Sequence, residues 1–255
     1  MTGLSPTNRS LIRGLRLLRA FRPGSESLGN GELAEATGLP RATVSRLAQT
    51  LAAEGFLLHD AARRTYSLGA PLLGLAFSMR NSSHLLHLAA PLMEEVARRE
   101  RINVGIALAD RDEMVYLESI RLSRRKSLRT IMPGQRIPME STSLGRAWLA
   151  TLDDARREPL YRDFRNKHPR QWKALERELA EAIARVHSDG YCAASWLPNV
   201  VAVACPLVFA GGQVYALNAS VTTEEPFDEV AATLIGPLLG LAADIRAEVG
   251  REGGW

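Results

Sequence analysis

Cysteine is nearly absent from this chain. Cys192 and Cys205 are the two present, thirteen residues apart, and no CxxC pair occurs. Zinc-finger and dithiol redox spacings are therefore excluded, and both thiols, set in apolar strand-like sequence, read as ordinary buried groups. Long hydrophobic runs are missing too. No stretch of about 18 apolar residues appears, so no membrane span is expected. The opening "MTGLSPTNRSLIRGLRLL" lacks an apolar signal core followed by small cleavage residues, and a cytoplasmic location is expected. Catalytic signatures are equally lacking: there is no GxSxG elbow, HExxH pair or Walker loop. Gly211 and Gly212 do not form a GxGxxG loop leading into a helix, and His168 and His187 lie on polar helical stretches with no positioned nucleophile. His84 and His87 have ligand-like i, i+3 spacing but no recognisable third ligand, so they read as helix surface or interface. The expectation is no enzyme, no cofactor and no metal.

What is present is a globular composition, 46% hydrophobic and 24% charged, over 255 residues, enough for one large domain or two smaller ones. The net charge of +4 is unevenly placed. Residues 1–68 hold nine arginines and five acids, an excess of four; the remaining 23 basic and 23 acidic residues cancel. A cationic first quarter joined to a neutral remainder points to a polyanion partner for the first quarter alone.

Three helices fit before residue 56. The first follows Asn8 or Ser10 as N-cap, with Leu11, Leu15, Leu18 and Phe21 near one stripe and Arg13, Arg16 and Arg19 mostly off it. "RPGSESLGNG" breaks it. A short second helix, "GELAEAT", turns Leu33 and Ala34 inward; Gly38 can take a positive φ in the turn, and Pro40 suits the first position of a third helix over residues 41–54, stopped by Gly55. Two short helices about a tight turn make a helix-turn-helix. In the third helix Val44, Leu47, Ala48 and Leu51 form the inward stripe, while Ala42, Arg46 and Gln49 project opposite, flanked by Arg41, Thr43 and Ser45. Arg can donate two bonds to guanine, Gln can pair with adenine, Ser and Thr reach phosphates or bases, and small Ala42 permits close approach to the groove floor. The competing reading is a merely solvated polar face. Residues 56–59 and 65–68 read as two strands of a wing, with Arg63 and Arg64 near its tip either meeting phosphate or forming an ordinary charged hairpin tip.

"GAPLLGLAFSMRNSS" reads as a helix leaving the wing, and "SSHLLHLAAPLMEEVARRERI" as a second amphipathic helix. The period then shortens. "INVGIALA" and "EMVYLESI" are strands joined at "DRD"; a basic loop "LSRRKS" and more extended chain follow. "STSLGRAWLATL" is a helix opened by Ser141 or Thr142. Helix continues to about Asp163 and again over residues 169–188. "GYCAAS", "VVAVACPLVFA" and "QVYALNASVT" are strands, the last two turning at Gly211-Gly212, and a helix punctuated by Gly236-Pro237 closes the chain. Hairpin-linked strands mixed with helices indicate an α+β fold with an antiparallel sheet.

"RGLRLLRAF", "ELAEATGLPRATVSRLAQTLAAEGF", "RRTYSLGAPLLGLA", "MVYLESI", "GQRIPMESTSLGRAWLA" and "GYCAAS…VVAVACPLVFAGGQVYALNAS" occur in order across nearly the whole chain. Together they resemble the isocitrate-lyase-regulator (IclR) family of bacterial transcription factors. The resemblance implies a winged helix-turn-helix over residues 1–68, a linker helix over 69–82 that helps pair subunits, and a GAF-like effector-binding α/β domain over 83–255. It implies double-stranded DNA with a pseudopalindromic operator as partner, a small-molecule effector, and a homodimer or dimer of dimers. Carried over position by position, it places Thr142, Ser143 and Leu144 at the mouth of an effector pocket and Asn218 and Ser220 on the sheet face lining it. Met132 and Trp196 are implied apolar walls. The sequence departs from the family where an acid commonly follows the "GY" strand: "AASWLPN" stands there, with Ser195 near the missing acid. The family's motif cysteine aligns with Ala202, Cys205 being displaced. The effector implied is a small metabolite, carboxylate-bearing or aromatic. For each polar residue the alternative is that it merely satisfies a strand end or helix cap. An enzyme, and a ligand-free architectural DNA binder, are the competing functions.

Overall fold

The computed structural model describes residues 7–22, 24–25, 27–122, 132–210 and 212–251. Its contacts divide the chain into Met1–Ser82 and Ser83–Trp255. In the first unit, α1 (Arg9–Ala20) is opened by Asn8, whose side chain accepts from the Leu11 N–H at 3.1 Å. α2 (Asn30–Thr37) ends at Gly38 with φ 68°, and α3 (Arg41–Ala53) follows. Pro40 is the N-cap of α3 rather than its first helical residue. Leu17, Leu33, Val44 and Ala48 meet Leu57 and Tyr66 of the wing in a small core. Its large side chains contribute about 1.5–3 kcal/mol each.

Two expectations fail here. Only half of the expected α1 stripe faces the core: Leu18 and Phe21 pack against it, but Leu11 and Leu15 are 61% and 51% exposed, while Gly14 and Leu17 are buried. Helix periodicity located the apolar positions but not which of them meet the core. The breaker segment also supplies a strand, β1 (Leu28–Gly29), which pairs with β3 (Thr65–Leu68), itself paired with β2 (Leu57–Asp60). The wing is therefore a three-stranded sheet in the order β1-β3-β2. α4 (Pro71–Asn81) ends the unit with no buried residue.

In the second unit Ser83 caps α5 (His84–Glu100), accepting from the Leu86 N–H. A six-stranded antiparallel sheet is built from β4 (Asn103–Asp110), β5 (Glu113–Ile120), β6 (Arg136–Pro138), β7 (Cys192–Ala194), β8 (Val200–Val208) and β9 (Val214–Thr222), ordered β6-β5-β4-β9-β8-β7. The basic loop expected at 122–127 and the extended chain after it fall largely on residues 123–131, outside the described residues, as does Gly211 of the β8–β9 turn. One sheet face carries Val104, Ile106, Val201, Val203 and Leu217 and packs on α5 and α9 (Phe227–Arg251). The other faces α6 (Ser143–Leu149) and α8 (Trp172–Asp189), with Phe164 of α7 (Asp154–Lys167) completing that layer.

α9 is long and apolar enough to cross a membrane by length and composition. It instead buries eight side chains, among them Leu234, Leu238, Leu241 and Ile245, as a core helix of the second unit. Pro237 does not interrupt it, because buried residues on both sides of the proline hold the helix to the sheet.

Candidate DNA-reading and effector-binding sites

α3 presents Arg41, Ala42, Arg46 and Gln49 to solvent, with Thr43 and Ser45 half-buried at its flanks. No acid occurs between residues 41 and 53, so this surface carries uncompensated positive charge. In the wing, Asp60 Oδ1 accepts from the N–H groups of Ala62 (2.9 Å) and Arg63 (3.0 Å), which tightens the turn and leaves Arg64 at φ 55°. The Arg63 guanidinium lies 3.8 Å from Asp60, both groups open to solvent. An exposed pair of that kind is worth little and yields readily to a phosphate.

In the second unit, Thr142 caps α6. Its hydroxyl donates to the Pro138 carbonyl (2.6 Å) and accepts from the Gly145 N–H (3.3 Å). Gly145 is required by close approach: a Cβ there would stand 2.0 Å from the Met139 carbonyl oxygen. The start of α6 is thus pressed onto the strand that leads into it. Arg146 reinforces this, its Nε donating to the Glu140 carbonyl (3.1 Å) and its Nη2 to Glu178 on α8 (2.6 Å). Glu140 is buried; His168 meets its Oε1 at 2.8 Å, and its Oε2 has no partner among the described residues.

The sheet beneath α6 is built of short side chains. Register aligns Ala204, Asn218 and Gly105 across β8, β9 and β4, with Cys192 of β7 beside Ala204; the next row runs Ala194, Ala202, Ser220, Asn103. The opposite face of the same strands is filled by valine, isoleucine and leucine. Gly105 has no room for a side chain: a Cβ would come within 2.5 Å of the Tyr116 ring and 2.8 Å of Asn218 Oδ1. Tyr116 and Asn218 therefore converge over β4, with Asn218 Nδ2 donating to the Tyr116 hydroxyl at 3.5 Å. Asn218 is 5% exposed and its Oδ1 has no partner among the described residues. Turning the amide over exchanges which atom is left, since the neighbourhood satisfies one of the two. Burial raises the Tyr116 phenol to about 12, partly offset by the Asn218 hydrogen bond, so it stays neutral.

The structure brings Thr142, Ser143, Leu144, Ala202, Asn218 and Ser220 to the α6 side of the sheet, all but the half-buried Ser220 being buried. Two residues stand apart. Met132 is 61% exposed beside the Pro133–Gly134 turn, so it walls nothing among the described residues. Ser195 is exposed, donates to the Leu197 carbonyl, and lies in an open groove of about 740 Å³ along the β7 edge with Arg146 and Glu178. Trp196 is half-buried against the α6-side core. Sequence reasoning missed Tyr116 and Gly105. A β-bulge between Ile106 and Ala107 shifts the register against β5, and the two meet across it. Cys192 and Cys205 are buried free thiols, each pushed to about 12 by burial. The Cys192 thiol points at the Ser143 carbonyl, 3.4 Å away.

Comparison with known families decides what this assembly is. Residues 10–61 match the IclR helix-turn-helix domain, and residues 77–247 match the bacterial transcriptional regulator IclR C-terminal domain. The chain belongs to the IclR family. It is 32% identical over 248 residues to the HTH-type transcriptional regulator TsaQ1/TsaQ2 of Comamonas testosteroni, covering 94% of this chain and 88% of that one. A crystal structure of an IclR family transcriptional regulator from Brucella abortus superposes with a TM-score of 0.87 at 30% identity, covering 98% and 97% of the two chains. An IclR homologue from Microbacterium hydrocarbonoxydans complexed with 4-hydroxybenzoate shares the fold, with a TM-score of 0.67 at 23% identity over 93% of this chain and 99% of that one. This IclR chain is accordingly a transcriptional regulator of the helix-turn-helix type.

Proposed function

We propose that this IclR-family regulator senses a small carboxylate-bearing aromatic metabolite on the α6 side of its sheet and controls a catabolic or metabolic operon accordingly. The observation that carries the reading is the face of short side chains, Gly105, Ala202, Ala204 and Ser220, around the buried amide of Asn218, whose Oδ1 has no partner among the described residues. A buried polar atom left unsatisfied costs about 1–3 kcal/mol, and a ligand hydroxyl or carboxylate that pairs with it recovers that cost on binding. The neutral Tyr116 phenol beside it can both donate and accept. Thr142, Ser143 and Leu144 form the opposing wall, the amides of Ser143 and Leu144 being the first of α6 and so having no acceptor within the helix. That a protein of the same fold holds 4-hydroxybenzoate agrees with an aromatic acid as ligand.

Reading of DNA is assigned to Arg41, Ala42, Thr43, Ser45, Arg46 and Gln49 of α3 in the major groove, with Arg63 and Arg64 of the wing on the flanking backbone. A homodimer supplies two such helices to a pseudopalindromic operator. α4 supports pairing: Leu73 and Phe77 are 76% and 63% exposed, Leu75 and Met79 are exposed beside them, and an eleven-residue helix of this composition needs a partner face. No catalytic step is assigned, since neither thiol ionises near neutrality and no nucleophile is paired with a base among the described residues; the protein acts in the cytoplasm, where its DNA is.

The test is thermal unfolding of the full chain with a panel of benzoates and short keto acids. At a concentration about a hundredfold above Kd, binding adds about 2.7 kcal/mol of stability. A stabilising acid, with the shift lost in Asn218→Leu and DNA binding retained, supports the site. A shift of wild-type size in Asn218→Leu removes the site from this face.

A further inference from the structure

α1 and α3 diverge over Gly14, where an added side chain would meet nothing within 4 Å. The space left is a groove of about 430 Å³, to which α1 contributes Ser10 and Arg13 and α3 contributes Thr43, Arg46 and Thr50. No acidic residue lines it. Neither arginine is engaged in an ion pair among the described residues. Thr50 directs its hydroxyl proton to the Arg46 carbonyl (3.0 Å), so the groove's polar donors are the two guanidiniums and the hydroxyls of Ser10 and Thr43. Two cationic forks and two hydroxyls around a cleft free of carboxylates suit a singly charged tetrahedral anion, because guanidinium pairs with phosphate oxygens in bidentate fashion.

The position of the groove identifies which anion. Arg46 belongs both to this groove and to the outer face of α3, whereas Ser45 and Gln49 lie on the other flank of the helix. With α3 in a major groove, the sugar-phosphate chain bordering that groove passes along the flanks of the helix, and one flank is this cleft. We infer that Arg13, with Arg46 and Ser10, holds a backbone phosphate of the duplex, making α1 a third DNA-contacting element beside the recognition helix and the wing. This rests on the DNA reading proposed above.

The experiment uses the full-length protein and two fluorescein-labelled duplexes, one selected by the wild-type protein from a random pool and one of scrambled sequence. Affinity is followed by anisotropy over a series of KCl concentrations. Arg13→Gln is expected to weaken binding to both duplexes by a similar factor and to reduce the slope of log K against log salt by about one, while selecting the same consensus. Arg16→Gln, on α1 but outside the groove, is expected to keep the wild-type slope. A single neutral methylphosphonate at the contacted phosphate is expected to weaken the wild type and leave Arg13→Gln indifferent. An unchanged slope in Arg13→Gln, with binding lost in Arg46→Gln, overturns the clamp and leaves the reading helix standing. Equal losses in Arg13→Gln and Arg16→Gln also overturn it, since they report general charge. A wild-type protein that binds no duplex at low salt overturns the DNA reading itself. Arg13 is exposed, so both α1 variants should melt as the wild type does.

Discussion

Gly105, Tyr116 and Asn218 show how far single residues decide this site. The absence of one Cβ lets a phenol and an amide meet over β4, and their burial holds the phenol at about 12. The two thiols are raised to about 12 by the same cause. The sign of the pH effect follows. These groups are neutral in the native state up to about pH 12, but in the unfolded chain the thiols ionise from about pH 9 and the phenol from about pH 10. The unfolded state therefore releases protons first as pH rises, and stability is present in full below pH 9 and lost towards pH 12. Urea midpoints measured from pH 8 to 12 should fall progressively. In the Cys192→Ala/Cys205→Ala variant, less stable at neutral pH, the fall should be shallower; an equally steep fall would place the alkaline loss elsewhere.

At the scale of elements, α4 invites the most direct intervention. Leu73→Glu with Phe77→Glu puts two charges on a helix that buries nothing within its own chain. The expected outcome is that sedimentation velocity changes from dimer to monomer while far-UV circular dichroism is unchanged; a dimer that survives would move the pairing surface to another element. Elements were also the level at which the sequence was most readable. The third helix showed its inward stripe and its basic outer face together, and Gly38 marked the turn before it. β8 announced two unlike faces by alternating Val201 and Val203 with Ala202 and Ala204. What escaped was non-local. β1 is two residues long and exists because Thr65 and Tyr66 pair with it. The exposed leucines of α1 followed the helical period correctly but say nothing about which face the rest of the unit offers. The Tyr116–Asn218 meeting brings together strands 102 residues apart in sequence, and no local pattern encodes that. Glu140 and Arg146, which fasten the start of α6, look from sequence like ordinary helix-flanking charges.

Over the whole molecule, the cationic head and the neutral body are separate contact units, each with its own core. Calorimetry should resolve two transitions, and a stabilising aromatic acid should raise the one belonging to residues 83–255 while leaving the other in place. Equal displacement of both would show that the units melt as one cooperative body.

The sheet of the second unit has the proposed ligand face on one side and α5 on the other, and α5 is the helix that follows α4 along the chain. β4 is shared by both: Gly105 and Ala107 look towards α6, Val104 and Ile106 towards α5, and two residues separate the end of α5 from the start of β4. A single thickness of pleated backbone is thus the diaphragm between the proposed ligand face and the helix that continues the chain from α4.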